Sequence, residues 1–289
     1  MRTLSGGLPN SHQDTLPSII FLALFGATSL LCLFRLLRTY RSPTRLLLTF
    51  VRMQLFELVR VATFVVRLMG IANYRAVTKG SGTFNETLLI VEQVLLSIGY
   101  LMPASTLVKL AGYHSSRREG GDVVGGVKRN ITRLMELALM GAIVLGILAG
   151  TKVSKAQTDA SAAQSVKTER TISAIIVTVV LALLVLFCAR VSTARDTPAS
   201  TSVWLGGTGL VLIVVPIFRL YSTGHPPADS NSTGAKAAFY ILQVSVEWLV
   251  GASLLAVDAK AWCGIEDAGY VGAYRDEEAH KLAYVSGSY

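Results

Sequence analysis

Glu57, Arg60 and Arg67 stand in the stretch FELVRVATFVVRLMG, residues 56–70, among Phe, Leu, Val and Met. Arg60 and Arg67 are seven residues apart and share a helix face, with Glu57 one turn before Arg60. Apolar side chains cover most of the remaining circumference. A soluble amphipathic helix has an apolar stripe and a broad polar face. This segment has a narrow polar line on an apolar cylinder, the geometry of a membrane helix whose polar line meets its neighbours. A charge near the bilayer centre costs roughly 2.5–3.5 kcal/mol on insertion scales, so such residues need partners at the same depth.

Glu92, in LLIVEQVLL, and Glu247, in VSVEWLVG, are the candidate partners. At about 1.5 Å per residue, Arg67 and Glu92 each lie about five residues below the outer ends of their spans, and Arg60 and Glu247 about twelve and about ten. The expected contacts are therefore Arg67–Glu92, and Arg60 with Glu247 or with Glu57. Arg52, near an inner end, is expected to snorkel. Arg219, in PIFRLYS, either snorkels or closes a polar cluster with Tyr240 or Gln243. Glu57, Arg60, Arg67, Glu92, Arg219, Gln243 and Glu247 thus form the candidate site. Intramembrane ionisable groups point by default to a ligand, solute or proton site. The competing reading is a neutralised ion-pair core that fixes helix register.

The elements that must position these residues follow from hydropathy. Of 289 residues, 52% are apolar and 16% charged, against about 25% charged in a typical soluble domain. Mean hydropathy is +0.51. The apolar residues form runs near 17–38, 45–72, 87–113, 131–150, 171–192, 202–221 and 237–257. Each is about 20 residues or longer, enough for the ~30 Å hydrocarbon core. The reading is an all-α, seven-transmembrane helix bundle over 17–257, whose second, third, sixth and seventh spans contribute the charged residues, which favours a central polar cavity open to the outside. Residues 1–16 form an extracellular segment and 258–289 a cytosolic tail. Residues 151–170 read as a small polar loop. The N-terminal segment lacks the charged-then-apolar layout of a cleavable signal peptide.

Net charge is +9. Nucleic-acid binding is not expected, because Lys and Arg accumulate in cytosolic loops of membrane proteins and no basic domain with interleaved aromatics is present. Fifteen Lys and Arg flank spans on the side of the C-terminal tail and eight on the other. That places the N-terminus outside and the C-terminus in the cytosol. The sequon at Asn231 is the expected glycosylation site; Asn85 lies close to the bilayer and Asn130 falls on the cytosolic side. Cys263 is either a juxtamembrane acylation site or a plain free thiol. Gly146 and Gly150 form GxxxG, read as helix packing. Pro103 and Pro216 should kink their spans. The basic loop 114–130 would meet either anionic lipid or a cytosolic partner.

No GxSxG, HExxH or P-loop pattern occurs and no histidine is spaced for a metal, so neither enzyme, metal nor cofactor is expected. Seven spans with an outside N-terminus resemble the plan of G-protein-coupled receptors in topology alone. The inner end of span three reads VKLAGYHSSRR and span seven ends GASLLAVDAK, and no lysine inside 237–257 offers a retinal Schiff base.

Ile217-Phe218-Arg219, then a Pro-rich loop, then Phe239-Tyr240 and Glu247-Trp248 resemble uncharacterised fungal seven-helix proteins. Those are distantly similar to the lipid-translocating-exporter family linked to aminocholesterol resistance. The resemblance covers about forty residues, and Leu220, Tyr221 and Ser222 stand where that family carries an acid. It implies lipid or amphipathic-solute transport or resistance, with membrane lipids and a small amphipathic ligand as partners, in the plasma membrane or an endomembrane. The alternative is a seven-helix receptor or sensor signalling through its cytosolic loops.

Overall fold

The computed structural model describes residues 5–41, 44–116, 123–153, 155–193, 198–227 and 229–265, all helix or connection with no β-strand. Most of the C-terminal tail, and residues 117–122 of the basic loop, lie outside the described residues.

Helix α1 runs Ser11–Arg38, six residues earlier than hydropathy places it. The cause is a local cap. Asn10 Oδ1 accepts from the His12 N–H at 3.1 Å, and Asp14 Oδ2 accepts from the Asn10 N–H at 2.7 Å. This reciprocal pairing fixes a helix start that an apolar-run argument cannot see.

Helix α2 spans Thr44–Thr78, 35 residues. Its buried face carries Glu57, Arg60, Thr63 and Arg67 together with Phe50, Met53, Phe56 and Phe64. Its outward face carries Leu48, Val51, Leu55, Leu58, Ala62, Val65 and Met69, all exposed. These recur every three or four residues, so they form one stripe along the helix.

Helices α3 (Glu86–Gly99) and α4 (Leu101–Ser116) continue one another across Tyr100. Pro103 has no N–H to give the Gly99 carbonyl, so the expected disturbance falls at that carbonyl. Pro216, by contrast, sits inside α7 (Ala199–Gly224) without interrupting it. Helix α5 covers Val123–Thr151 and α6 covers Ala160–Ser192, started by the Asp159 side chain, which accepts from the Ser161 N–H at 2.8 Å. The supposed loop 151–170 is therefore half helix. ASAAQSVKTER is polar, yet its Ala, Gln, Lys, Glu and Arg are strong helix formers. The last long element is composite: α8 (Thr233–Ala238), a π-helical segment Phe239–Ser245, and α9 (Val246–Ala256). A short α10 (Ala259–Cys263) follows and buries Cys263, which withdraws that thiol from an acylating enzyme.

The α3–α4 pair, joined end to end at Tyr100, is central. It packs against α2, α5, α6, α7 and α9, while α1 lies between α2 and α9 and α6 lies between α5 and α7. Gly150 of the GxxxG pair faces α3 so closely that a Cβ there would stand 3.0 Å from Val94 Cα. The motif serves packing within the chain.

Among the described residues six helices are long and apolar enough to cross a membrane: Ser11–Arg38, Glu86–Ser115, Asn130–Thr151, Ala160–Ser192, Ala199–Gly224 and Thr233–Ala256. The surface is inverted relative to a soluble protein. Leu30 is 70% exposed and Leu134, Leu137 and Leu186 are similarly bare, whereas Arg60 and Arg67 are among the largest fully buried side chains. Large contiguous apolar surfaces do not face water in soluble monomers. The chain is a multi-pass helical membrane protein.

Candidate functional site

Arg67 is the hub of the end of the bundle where α1 begins. Its Nη2 donates to Asp14 Oδ1 and to the Gly6 carbonyl, both at 2.8 Å, and its Nε donates to the Tyr240 hydroxyl at 3.0 Å. Its Nη1 is ion-paired with Glu92. The guanidinium carbon lies 5.2 Å from the centre of the Phe239 ring, in cation–π range. Asp14 in turn is ion-paired with Lys236, and its Oδ1 also accepts from the Tyr240 hydroxyl at 3.0 Å. Two cations, Arg67 and Lys236, thus meet two acids, Asp14 and Glu92. Charge balance and multiple hydrogen bonds are the conditions under which buried ions are tolerated.

Residues 5–9 form a strap over this cluster. Ser5 exchanges two hydrogen bonds with the Gln93 amide, at 3.1 and 3.0 Å. The Leu8 carbonyl accepts from Lys236 Nζ at 2.8 Å, and the Leu8 N–H donates to Asn231 Oδ1 at 2.8 Å. Gly6 and Gly7 have φ of 76° and 64°, the left-handed region that favours glycine. A Cβ on Gly6 would also stand 3.0 Å from the Phe239 ring. Asn231, the expected glycan acceptor, thus has a structural contact through its Oδ1.

The second cluster lies deeper. Arg60 Nη2 is 2.5 Å from Glu247 Oε2, with both side chains buried. Of the two partners left open for Arg60, direct contact goes to Glu247. Glu57 instead accepts a 2.6 Å hydrogen bond from Thr28 Oγ1 on α1. Arg219 neither snorkels nor hydrogen-bonds Tyr240 or Gln243: its Nη2 donates to the Leu96 carbonyl at 2.8 Å and its guanidinium lies 4.6 Å from the Tyr100 ring centre. The Leu96 carbonyl draws it because the Tyr100 ring at the α3–α4 junction offers a π-face at the same level. Gln243 is buried one turn before Glu247. Arg52, expected to snorkel, donates to Ser105 Oγ at 2.9 Å, because α4 packs against α2 there.

Three charged side chains of α2, Glu57, Arg60 and Arg67, are each given room by a glycine on another segment. A Cβ on Gly99 would overlap the Arg60 guanidinium, one on Gly251 would stand 2.9 Å from Glu57 Oε1, and one on Gly6 would stand 3.2 Å from Arg67 Nη1. In a core packed to crystal-like density, such gaps have to be built into the sequence.

Beside the strap opens a cavity of about 310 Å³, walled by α6, α7 and the π-helical segment. Phe218, Tyr221, Pro226 and Phe239 supply apolar surface, while Lys167, Arg170 and Gln243 supply polar groups. A smaller void of about 20 Å³ adjoins it, sharing Ser5, Arg170, Ser222 and Thr223, and is lined as well by Arg219, Ser97 and Ser173. π-Helical turns are rare and recur at functional sites. Here one supplies Phe239 and Gln243 to the cavity wall.

Asp14, Lys236, Tyr240 and Arg170 complete the constellation, and only Tyr240 figured in the sequence reading. Asp14 and Lys236 were assigned to the segments outside the spans. The line Lys236, Tyr240, Gln243, Glu247 recurs every three or four residues, and this period was the available signal. Lys236 also removes the premise that the last span lacks a lysine, since it occupies the first turn of α8. Its Nζ is committed to Asp14 and the Leu8 carbonyl. Among the described residues no group of three or more His, Cys, Asp or Glu could hold a metal ion. No protein-family model, curated protein or solved structure matches this chain.

Proposed function

We propose that this chain is a seven-span membrane protein that takes up an amphipathic solute in the cavity beside its N-terminal strap, in the service of transport or resistance. Support for the seventh span comes from the outward stripe of α2, Leu48 to Met69. At about 1.5 Å per residue it is roughly 32 Å long, close to the ~30 Å hydrocarbon core. The mean hydropathy of α2 is lowered by charges that point inward. Seven crossings, with the Lys and Arg distribution, put the strap and cavity outside and the tail in the cytosol of a plasma membrane or endomembrane.

The observation that carries the functional reading is the cavity itself. Pockets of about 300–1,000 Å³ with apolar walls and a few convergent polar groups are the usual small-molecule sites. Three residues behind the resemblance to lipid-translocating exporters, Phe218, Arg219 and Phe239, line this cavity or its adjoining void. The receptor alternative rests on loop 114–130, whose central residues lie outside the described ones.

The test is solute binding by the purified chain in nanodiscs, followed by flux of bound solutes in proteoliposomes. Saturable binding abolished by Phe239→Trp, which fills the wall, supports a solute site. Binding that is indifferent to cavity-filling substitutions at Phe239 and Ala238 contradicts it. Flux separates a transporter from a receptor.

A further inference from the structure

A second cavity, of about 460 Å³, opens between α2, α4 and α5 at the end of the bundle away from the strap. Helix α4 packs against both of the others. Arg45 and Arg52 come to this cavity from α2, Lys109 from α4 and Arg133 from α5. Its one acid is Glu136, ion-paired with Lys109 at 2.6 Å. Among the described residues the lining therefore holds four cations against one carboxylate. Beneath the strap, by contrast, Arg67 and Lys236 are matched by Asp14 and Glu92.

The surplus charge stands ready for a guest. Arg45 and Arg133 are exposed and make no ion pair among the described residues. Arg52 is half-buried, and its Nη1 donates to Ser105 Oγ at 2.9 Å. Two lining hydroxyls spend their protons on the chain itself: Thr49 Oγ1 donates to the Arg45 carbonyl at 2.9 Å, and the Tyr113 hydroxyl donates to the same carbonyl at 3.2 Å. What faces the cavity is chiefly guanidinium, whose planar fork matches the oxygens of a phosphate.

Depth says where such a phosphate comes from. Leu48 begins the outward apolar stripe of α2 and also lines the cavity. Arg45 stands about one turn before it and Arg52 about one turn beyond it. The arginines thus bracket the level at which lipid headgroups meet the hydrocarbon core. Leu134 and Leu137, next in sequence to Arg133 and Glu136, are exposed on the same stretch of α5. Basic pockets between membrane helices are known seats for anionic headgroups.

We infer that this cavity seats an anionic phospholipid of the surrounding leaflet, its phosphate held by Arg45, Arg52 and Arg133 and its acyl chains lying along Leu48 and Leu134. Lys109 neutralises Glu136, which would otherwise repel the head. The seat is separate from the solute cavity beside the strap and shares with the proposed function only the crossing of the bilayer by α2.

The test offers the full chain, purified in detergent, equal amounts of dioleoyl phosphatidic acid and dioleoyl phosphatidylcholine, and reads the retained lipid by native mass spectrometry. Phosphatidic acid is expected to be retained in preference. Arg45→Gln and Arg133→Gln are each expected to weaken its retention about fivefold, the worth of one basic residue at the headgroups. Arg190, exposed in the last turn of α6, lies outside the lining. Arg190→Gln removes the same charge and is expected to leave retention unchanged. Equal retention of the two lipids by the unaltered chain would overturn the seat, and that comparison decides the matter even if a variant does not fold. An equal loss on Arg190→Gln would show a diffuse positive surface in place of a site and overturn it too. Displacement of phosphatidic acid by glycerol 3-phosphate at matched concentration would show a soluble-phosphate site and overturn the lipid. None of these outcomes touches the solute site, which is read by binding at Phe239.

Discussion

Asp14, three residues into α1, accepts a 2.8 Å hydrogen bond from Arg67, two-thirds of the way along α2, and is ion-paired at its other oxygen with Lys236 of α8. One short carboxylate therefore ties three helices and the strap that crosses them. Arg67 contacts Asp14, Glu92, Tyr240 and the Gly6 carbonyl at once. Lysine keeps the charge but lacks the fork that reaches several acceptors at once. Arg67→Lys is expected to lower stability by about 3 kcal/mol or more, since each charged hydrogen bond lost counts for roughly 1.5–3 kcal/mol. The strap should also become more sensitive to protease between Ser5 and Pro9. Thermal unfolding in detergent and limited proteolysis check the two effects.

The Arg60–Glu247 pair allows the structural role of the deeper cluster to be separated from any ligand role. Glu247→Gln or Arg60→Met alone leaves a buried charge uncompensated and is expected to cost about 3–5 kcal/mol. The double variant Arg60→Met with Glu247→Leu removes both charges and should recover to within about 1–2 kcal/mol of the parent. Recovery of stability with solute binding intact assigns this pair to the scaffold. Recovery of stability with loss of binding assigns it to the site.

The glycines opposite α2 give a graded packing test. Gly99→Ala and Gly251→Ala push a methyl group against the Arg60 guanidinium and the Glu57 carboxylate, and overpacking of this kind costs about 1–3 kcal/mol. A Cβ on Gly207 meets nothing within 4 Å. Gly207→Ala is therefore expected to be neutral or to stabilise α7 by up to about 1 kcal/mol through helix propensity. Differential melting of the three variants is the readout.

Tyr40 sets an alkaline limit at the end of the bundle where α1 stops. Burial holds its phenol above the ordinary value of 10.0. The hydroxyl donates to the Val257 carbonyl at 3.3 Å and accepts from Arg35 Nη1 at 3.2 Å and from the Ala259 N–H at 3.3 Å. Because the folded value is raised, the folded state binds this proton more tightly than the unfolded chain. The contribution is complete below pH 10 and is lost as pH rises through the folded value. Tyr40→Phe should flatten that alkaline loss in melting curves taken between pH 8 and 11.

Much of the architecture was legible because hydrophobic length is a direct physical requirement of the bilayer. All six apolar helices of the structure coincide with runs read from the sequence, with ends displaced where capping, as at Asn10 and Asp159, outweighs hydropathy. The Arg67–Glu92 pairing followed from depth, since a buried charge must find an opposite one at its own level; depth left Arg60 with Glu247 or Glu57, and the structure pairs it directly with Glu247. Asp14 and Lys236 escaped the same argument because they were placed outside the spans, where a charge needs no partner. Arg170 escaped because it opens an apolar run and reads as an end residue. The charged residues point to a polar cavity among the second, third, sixth and seventh spans. The structure opens it instead beside the strap, α6, α7 and the π-helical segment, a place set by how those elements diverge and not by where the charges stand. Pro103 and Pro216 read alike in sequence, yet only the first coincides with a helix break.

The account depends most on α2 crossing the lipid with its arginines turned inward. Cysteines introduced singly at Leu55 and Leu58, in a background where the buried Cys32, Cys188 and Cys263 are replaced by alanine, report this directly in intact membranes. The prediction is that a water-soluble maleimide fails to label either position from either side, while a lipid-phase quencher reaches a fluorophore attached there. Rapid labelling of both cysteines from water would place this helix outside the bilayer and contradict the account.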